Sequence, residues 1–185
     1  MGYLFHNPYL ADRRQSRYCI VFFLPKQLNE MLMQIREKFD PSYNLIASHV
    51  TVVFPFETAR QVDEIASVIE SEVIRLGEFD ISLTSLNDFY PEFPIIYWSV
   101  EISDGLSKLY RNITNGLGLT IPHEIYKPHV TLAQEISKHR VMLVKENIIP
   151  YISSETFKAS SIDLISPMND SRWVSVRTFK FKKPE

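Results

Sequence analysis

Two stretches of the chain could act together chemically: SHVTVVF, from Ser48 to Phe54, and KPHVTLA, from Lys127 to Ala133. Each carries His-Val-Thr, and the two histidines, His49 and His129, stand 80 residues apart. Histidine changes charge nearest to neutral pH, so it can either take a proton or give one. The threonine two residues on adds a hydroxyl that can donate a hydrogen bond to an anionic oxygen. Side chains alternate across a strand, which puts His49 and Thr51 on one face and Val50, Val52 and Phe54 on the other. His129 and Thr131 oppose Val130 and Leu132 in the same way. A lone histidine on an apolar strand is most often structural, but two copies in matching contexts are poorly explained so, and internal repetition signals duplicated architecture.

Such a pair suits displacement at phosphorus. In-line attack needs a base at the entering oxygen and an acid at the leaving oxygen, on opposite sides of the phosphate. Two facing imidazoles meet that demand, and two hydroxyls can hold the non-bridging oxygens whose charge must be stabilised. Neither step calls for a metal or a cofactor.

The flanking sequence repeats in an order that could present the two strands to each other. YCIVFFL, residues 18–24, reads as a buried strand, and Leu28, Leu32, Ile35 and Phe39 then recur at helical spacing before Pro41. The first His-Val-Thr strand follows. An amphipathic helix is expected from about Thr58 to Leu76, with Val62, Ile65, Ala66, Ile69 and Val73 inward, and then the alternating strand FDISLTSL. The second half reads as the strand IIYWSVEI, a helix in GLSKLYRNITNGLG, the strand HVTLAQ, a helix within SKHRVMLVKENIIPY and the strand FKASSIDLI. RWVSVRTFKF makes a last strand. Trp98 precedes His129 by 31 residues, as Tyr18 precedes His49. The expectation is one α+β domain over residues 1–185, with helices outside and sheets within. Its two similar lobes cover about residues 16–92 and 93–181, and residues 1–15 form an N-terminal extension.

Composition narrows the partners. A chain of 185 residues with 45% apolar side chains suits a single domain with its own core. Its net charge of −2 offers no broad basic surface for long nucleic acid, so any phosphate site is local. Cys19, the only cysteine, lies in an apolar run and reads as a buried inert thiol. The N-terminal stretch lacks the apolar core of a secretion signal and no run is long enough to span a membrane, which makes the cytoplasm the default location. His6 stands where myristoylation wants Ser or Thr. The spacings of His123, His129 and His139 match no common ligand signature, and no metal site is expected. Dinucleotide, P-loop and serine-hydrolase motifs are absent.

Paired His-x-Thr strands in a duplicated α/β framework resemble the 2H phosphoesterase superfamily, which includes 2'-5' RNA ligase-like proteins and the cyclic nucleotide phosphodiesterases of RNA processing. The stretch from YCIVFFLPKQL through FDPSYNLIASHVTVVFPFE is most similar to its small bacterial 2'-5' RNA ligase-like members, and the resemblance runs from Ser16 to Phe181. Both motifs are intact, as HVTV and HVTL. The resemblance implies antiparallel-rich sheets around a central cleft, His49 and His129 as the acid/base pair, and Thr51 and Thr131 as the phosphate-holding residues. It does not identify the substrate, since members act on 2',3'-cyclic phosphates, ADP-ribose cyclic phosphate, 2'-5' linkages and RNA 3' ends. The small acidic chain argues for a short one, and the expected activity is a metal-independent cyclic phosphodiesterase acting on a nucleotide or RNA-terminal 2',3'-cyclic phosphate, with no cofactor. Reversible 2'-5' RNA ligation and a non-catalytic module that binds nucleotides or RNA ends are the alternatives. Lys127 and Arg172 are candidate phosphate contacts, with Arg172 the positive group of the second lobe. Tyr43 and Tyr126, with Phe56, Tyr90 and Trp173, are candidate faces for a nucleobase. The oligomeric state is open, with a monomer as the default.

Overall fold

The computed structural model describes residues 16–120 and 126–183. The expected N-terminal extension with His6, and His123, lie outside the described residues.

The chain alternates strands and helices: β1 (Ser16–Phe23), α1 (Lys26–Phe39), β2 (His49–Thr58), α2 (Val62–Leu76), β3 (Phe79–Asp88), β4 (Ile96–Val100), α3 (Asp104–Gly116), β5 (His129–Ala133), α4 (Val141–Ile148), β6 (Glu155–Ala159), β7 (Ser161–Pro167) and β8 (Trp173–Lys180). Short 3-10 turns flank α4 at Lys138–Arg140 and Ile149–Tyr151. Local chemistry sets several boundaries. α2 begins only at Val62 because Gln61 and Glu64 form a reciprocal capping box, whereas Thr58 still belongs to β2. The same helix stops at Gly77, whose φ of 67° suits a residue without Cβ. α3 is capped by the Ser103 side chain, which accepts from the Leu106 N–H at 3.2 Å. None of the described helices is long and apolar enough to cross a membrane.

The strands form two four-stranded antiparallel sheets, ordered β2-β1-β7-β8 and β5-β4-β3-β6. This order corrects the division into lobes at residue 92. β3, from the first half, sits in the second sheet, and β7 and β8, from the second half, complete the first. The reason is loop closure: β3 and β4 are joined by a short connection that pairs Asp88 with Ile96, which costs less entropy than a return to β2. FKASSIDLI, expected as one strand, breaks at Ser160, where the chain passes from the second sheet to the first.

One large apolar cluster collects residues from both sheets and the helices, among them Ile20, Phe22, Val50, Ile69, Trp98, Leu109 and Val130. Phe22 of the first sheet meets Phe79 of the second edge-on at 6.0 Å and stacks on Phe181 at 5.9 Å. The exchanged strands and this shared core hold the sheets so that their edge strands, β2 and β5, lie beside each other. Those two strands carry the repeated tripeptide.

Candidate functional site

The two His-Val-Thr strands sit in equivalent frames. β2 pairs with β1 so that His49 stands opposite Phe23 and Thr51 opposite Val21. β5 pairs with β4 so that His129 stands opposite Ser99 and Thr131 opposite Tyr97. Val50 and Val52, like Val130 and Leu132, are fully buried in the core, and His49, Thr51, His129 and Thr131 are half-buried on the other face. The alternation fails at Phe54, expected with the core valines. Thr51 pairs with Val21 but Val53 with Ile20, so Val52 is an extra residue in the ladder and Val53 takes the core position. Phe54 is thereby left half-buried outside the core set.

Each imidazole is held by the same device. His49 Nδ1 lies 2.8 Å from the Ala47 carbonyl oxygen, and His129 Nδ1 lies 2.8 Å from that of Lys127. A carbonyl can only accept, so each ring donates from Nδ1–H, and its neutral form leaves Nε2 bare and directed away from its own backbone. The preceding residues are anchored alike: the Leu24 N–H donates to the Ser48 carbonyl at 3.1 Å, and the Val100 N–H to the Pro128 carbonyl at 3.3 Å. The repeat thus extends to the hydrogen bonds around each tripeptide.

The surroundings depress both imidazolium forms. Burial is the main reason that His49 is pulled from 6.5 to about 4; the charges of Arg36 and His129 add to it, while the Ala47 carbonyl and Asp40 oppose it. The charge of His129 thus reaches His49 across the neighbouring edge strands β2 and β5. Burial also lowers His129, helped by the Lys127 ammonium and opposed by the Lys127 carbonyl. Aromatic rings fix both imidazoles. Phe23 meets His49 edge-on at 6.4 Å, and Phe89 and Tyr97 lie 5.1 and 5.0 Å from His129. Lys127 Nζ lies 5.1 Å above the Phe89 ring and 5.3 Å from that of Tyr97, which parks a cation beside His129.

The other candidates fall elsewhere. Arg172 lies in the turn before β8, on the first sheet rather than the second, with its Nε held by Asp170 at 2.6 Å. Tyr126 stacks on Tyr110 at 4.0 Å, and its hydroxyl donates to the Thr51 carbonyl at 3.0 Å, tying the approach to β5 onto β2. Burial raises its pKa, so that hydroxyl stays a donor. Tyr43 lines a separate polar cavity of about 310 Å³ with Lys38, Asp40, Gln134 and Arg140. Phe56 packs against Tyr18 at 6.1 Å, Trp173 lies under the Arg17 guanidinium, and Tyr90 is exposed beyond Phe89. His139 is exposed beside α4, and the described residues contain no group of three His, Cys, Asp or Glu side chains that could hold a metal ion. Cys19 is buried as expected, donates to the Val53 carbonyl and has its pKa pushed up to about 12.

The sequence reading missed Phe23, Phe89 and Tyr97, as well as a buried pair behind β2, Arg36 with Asp40. Arg36 leaves a signal, a charge one residue after Ile35 on the apolar stripe of α1. The aromatic neighbours follow only from strand register.

The family described as the 2'-5' RNA ligase superfamily matches residues 24–170. A Geobacillus kaustophilus protein provisionally named a phosphoesterase is 31% identical over 121 residues, 65% of this chain and 70% of its own. A Bacillus licheniformis protein with the same provisional name is 28% identical over 88% of this chain and 97% of its own. Among solved structures, E. coli LigT in apo form superposes with a TM-score of 0.63 at 15% identity, covering 91% of this chain and 99% of LigT. The Thermus thermophilus protein TT0787 gives 0.65 at 13% identity, with 91% of this chain and 100% of that one covered. LigT has also been solved with 3'-AMP and with phosphate. The matched span contains both His-x-Thr strands, the whole second sheet and strands β2 and β7 of the first, and the chain belongs to the 2'-5' RNA ligase superfamily, the 2H phosphoesterase group.

Proposed function

We propose that this protein hydrolyses the 2',3'-cyclic phosphate of a nucleotide or RNA end without a metal ion, using His49 and His129 as acid and base. The observation that carries the reading is the pair of matched cradles, each holding an imidazole by Nδ1 and leaving Nε2 for the substrate. One ring accepts a proton from water as its oxygen attacks phosphorus. The bond from phosphorus to one ribose oxygen breaks, and the other ring, entering as imidazolium, protonates that oxygen to leave a phosphate monoester. Thr51 and Thr131 donate to the non-bridging oxygens, and Lys127 adds positive charge beside His129. Family membership, the phosphoesterase names of the relatives and the phosphate and 3'-AMP complexes of LigT support this reading.

Reversible 2'-5' ligation uses the same displacement, with a ribose 5'-hydroxyl in place of water, and the family description keeps it as the second reading. Incubation with the four nucleoside 2',3'-cyclic monophosphates, each with and without chelator, should yield monoesters at equal rates in both arms. A chelated sample that loses activity and recovers it with zinc or manganese would overturn metal independence. Binding without turnover would instead favour a non-catalytic module, and joining of oligonucleotides with cyclic-phosphate and 5'-hydroxyl ends would favour ligation.

A further inference from the structure

The two histidine cradles are alike in outcome but not in construction. His129 hangs from the carbonyl of Lys127, the residue before Pro128. A proline fixes its own φ, restricts the residue before it and brings no N–H to satisfy. Pro128 is also buried, and its carbonyl is bonded to β4. The backbone that presents the Lys127 carbonyl is therefore stiff for covalent reasons.

His49 hangs from the carbonyl of Ala47, in a segment with neither proline nor regular structure between Tyr43 and Ser48. Backbone bonds hold its two ends, from the Trp173 N–H to the Leu45 carbonyl at 2.8 Å and from the Leu24 N–H to the Ser48 carbonyl at 3.1 Å, and side chains fix the peptides between them. Arg36 Nη1 donates to the Ile46 carbonyl at 2.9 Å and to the Ser48 hydroxyl at 3.3 Å. The Ser48 N–H donates to Asn29 Oδ1 at 2.8 Å. The peptide groups on both sides of Ala47 are thus clamped to α1. Arg36 is in turn fixed by Asp40, one turn along the helix, through Nε and Nη2 on Oδ2, both at 2.9 Å. The pair is only 3% and 2% exposed.

The other Asp40 oxygen reaches the second strand. Oδ1 accepts from Gln134 Nε2 at 2.7 Å and from the Ser42 N–H at 2.9 Å, and the Gln134 N–H donates to the Phe39 carbonyl at 3.2 Å. Gln134 directly follows β5, three residues beyond Thr131. One buried ion pair therefore grips the backbone that holds His49 and the end of the strand that carries His129. A surface role would not require such burial, and a buried pair of this kind is weak as a source of stability but well suited to imposing one geometry.

We infer that Arg36, anchored by Asp40, is a positioning residue that fixes the Ala47 carbonyl and, through it, the tautomer and aim of the His49 ring, the part that Pro128 plays for His129. The inference rests on His49 being a reacting group, so its test includes a readout that needs no activity. In uniformly ¹⁵N-labelled protein, long-range ¹H–¹⁵N spectra of the imidazoles should show both His49 and His129 as Nδ1–H tautomers. The double variant Arg36→Met with Asp40→Leu replaces the ion pair by apolar side chains, an exchange that folds often accept. It should remain folded by circular dichroism, show His49 as a mixture of tautomers with His129 unchanged, and lose about tenfold to 10²-fold in kcat with little change in KM. Asn29→Ala removes only the acceptor for the Ser48 N–H at a half-exposed site, and it should shift the same His49 signals if the double variant fails to fold. A folded double variant with a pure Nδ1–H His49, or with wild-type kcat, would overturn the inference. Full activity in His49→Ala would sink the catalytic reading instead, while leaving the tautomer result standing.

Discussion

Replacing His49 or His129 by alanine should each lower turnover of a 2',3'-cyclic nucleotide by about 10²- to 10⁴-fold, the usual contribution of a positioned acid or base. Both losses are expected because each ring does a separate half of the proton transfer. Lys127 stands close to His129, but its charge lowers the affinity of that ring for a proton and cannot replace it. The double variant should be little worse than either single one, since groups that act as a unit give strongly non-additive losses. Thr51→Ala and Thr131→Ala should behave differently. Each removes one hydrogen bond to a charged oxygen, a loss of about 1.5 to 3 kcal/mol, shared between binding and turnover, so measurable activity should remain. Steady-state kinetics on the four variants and the double mutant separates these outcomes. If His129→Ala kept most of its activity while His49→Ala lost it, the paired reading would fail, and the second His-Val-Thr would be a relic of duplication.

The site was legible in the sequence to the extent that it depends on strand parity and repetition. Alternation alone put His49 with Thr51 and His129 with Thr131 off the core face, and it held as far as the extra residue at Val52, which no propensity reveals. The helices were legible because α1, α2 and α3 each bury one apolar stripe. The sheet partners were not: period-2 patterning shows that a segment is a strand but not which edge it joins, and β3 and β7 chose neighbours in the opposite half. The partners of the accessory residues were illegible for a related reason. Tyr126 and Arg172 were singled out by side-chain type near a motif or strand start, yet Tyr126 is used as a tie to the Thr51 carbonyl and Arg172 is neutralised within its own turn. What a polar side chain can do for a substrate depends on what the fold has already asked of it. That is a tertiary property, and Arg36, unremarked in the sequence, shows the converse.

The dependence of turnover on pH should be steep and displaced toward acid. The mechanism needs one proton on the pair of rings: one imidazole neutral to accept, the other charged to donate. In the free protein, however, His49 is held near 4 and His129 below its ordinary 6.5, so both are largely neutral at pH 7. The competent, singly protonated pair is then a minority whose population falls about tenfold per pH unit above the upper of the two apparent values. Accordingly kcat/KM should peak on the acid side of neutrality and fall by about tenfold per unit above it. A bound phosphate anion favours the charged ring, so the alkaline limb of kcat should lie at higher pH than that of kcat/KM. Lys127→Met, which removes the cation over Phe89 and Tyr97, should move the upper limb of kcat/KM upward. Stability should carry the opposite sign. The unfolded chain takes up a proton at His49 near 6.5 and the folded one resists it until about 4, so conformational stability is full above the first value and declines as pH falls between the two. Melting temperatures over that window should drop less steeply in His49→Ala. A kcat/KM profile that is flat from about pH 5 to 8, or that peaks on the alkaline side, would show that the two depressed imidazoles do not share the catalytic proton.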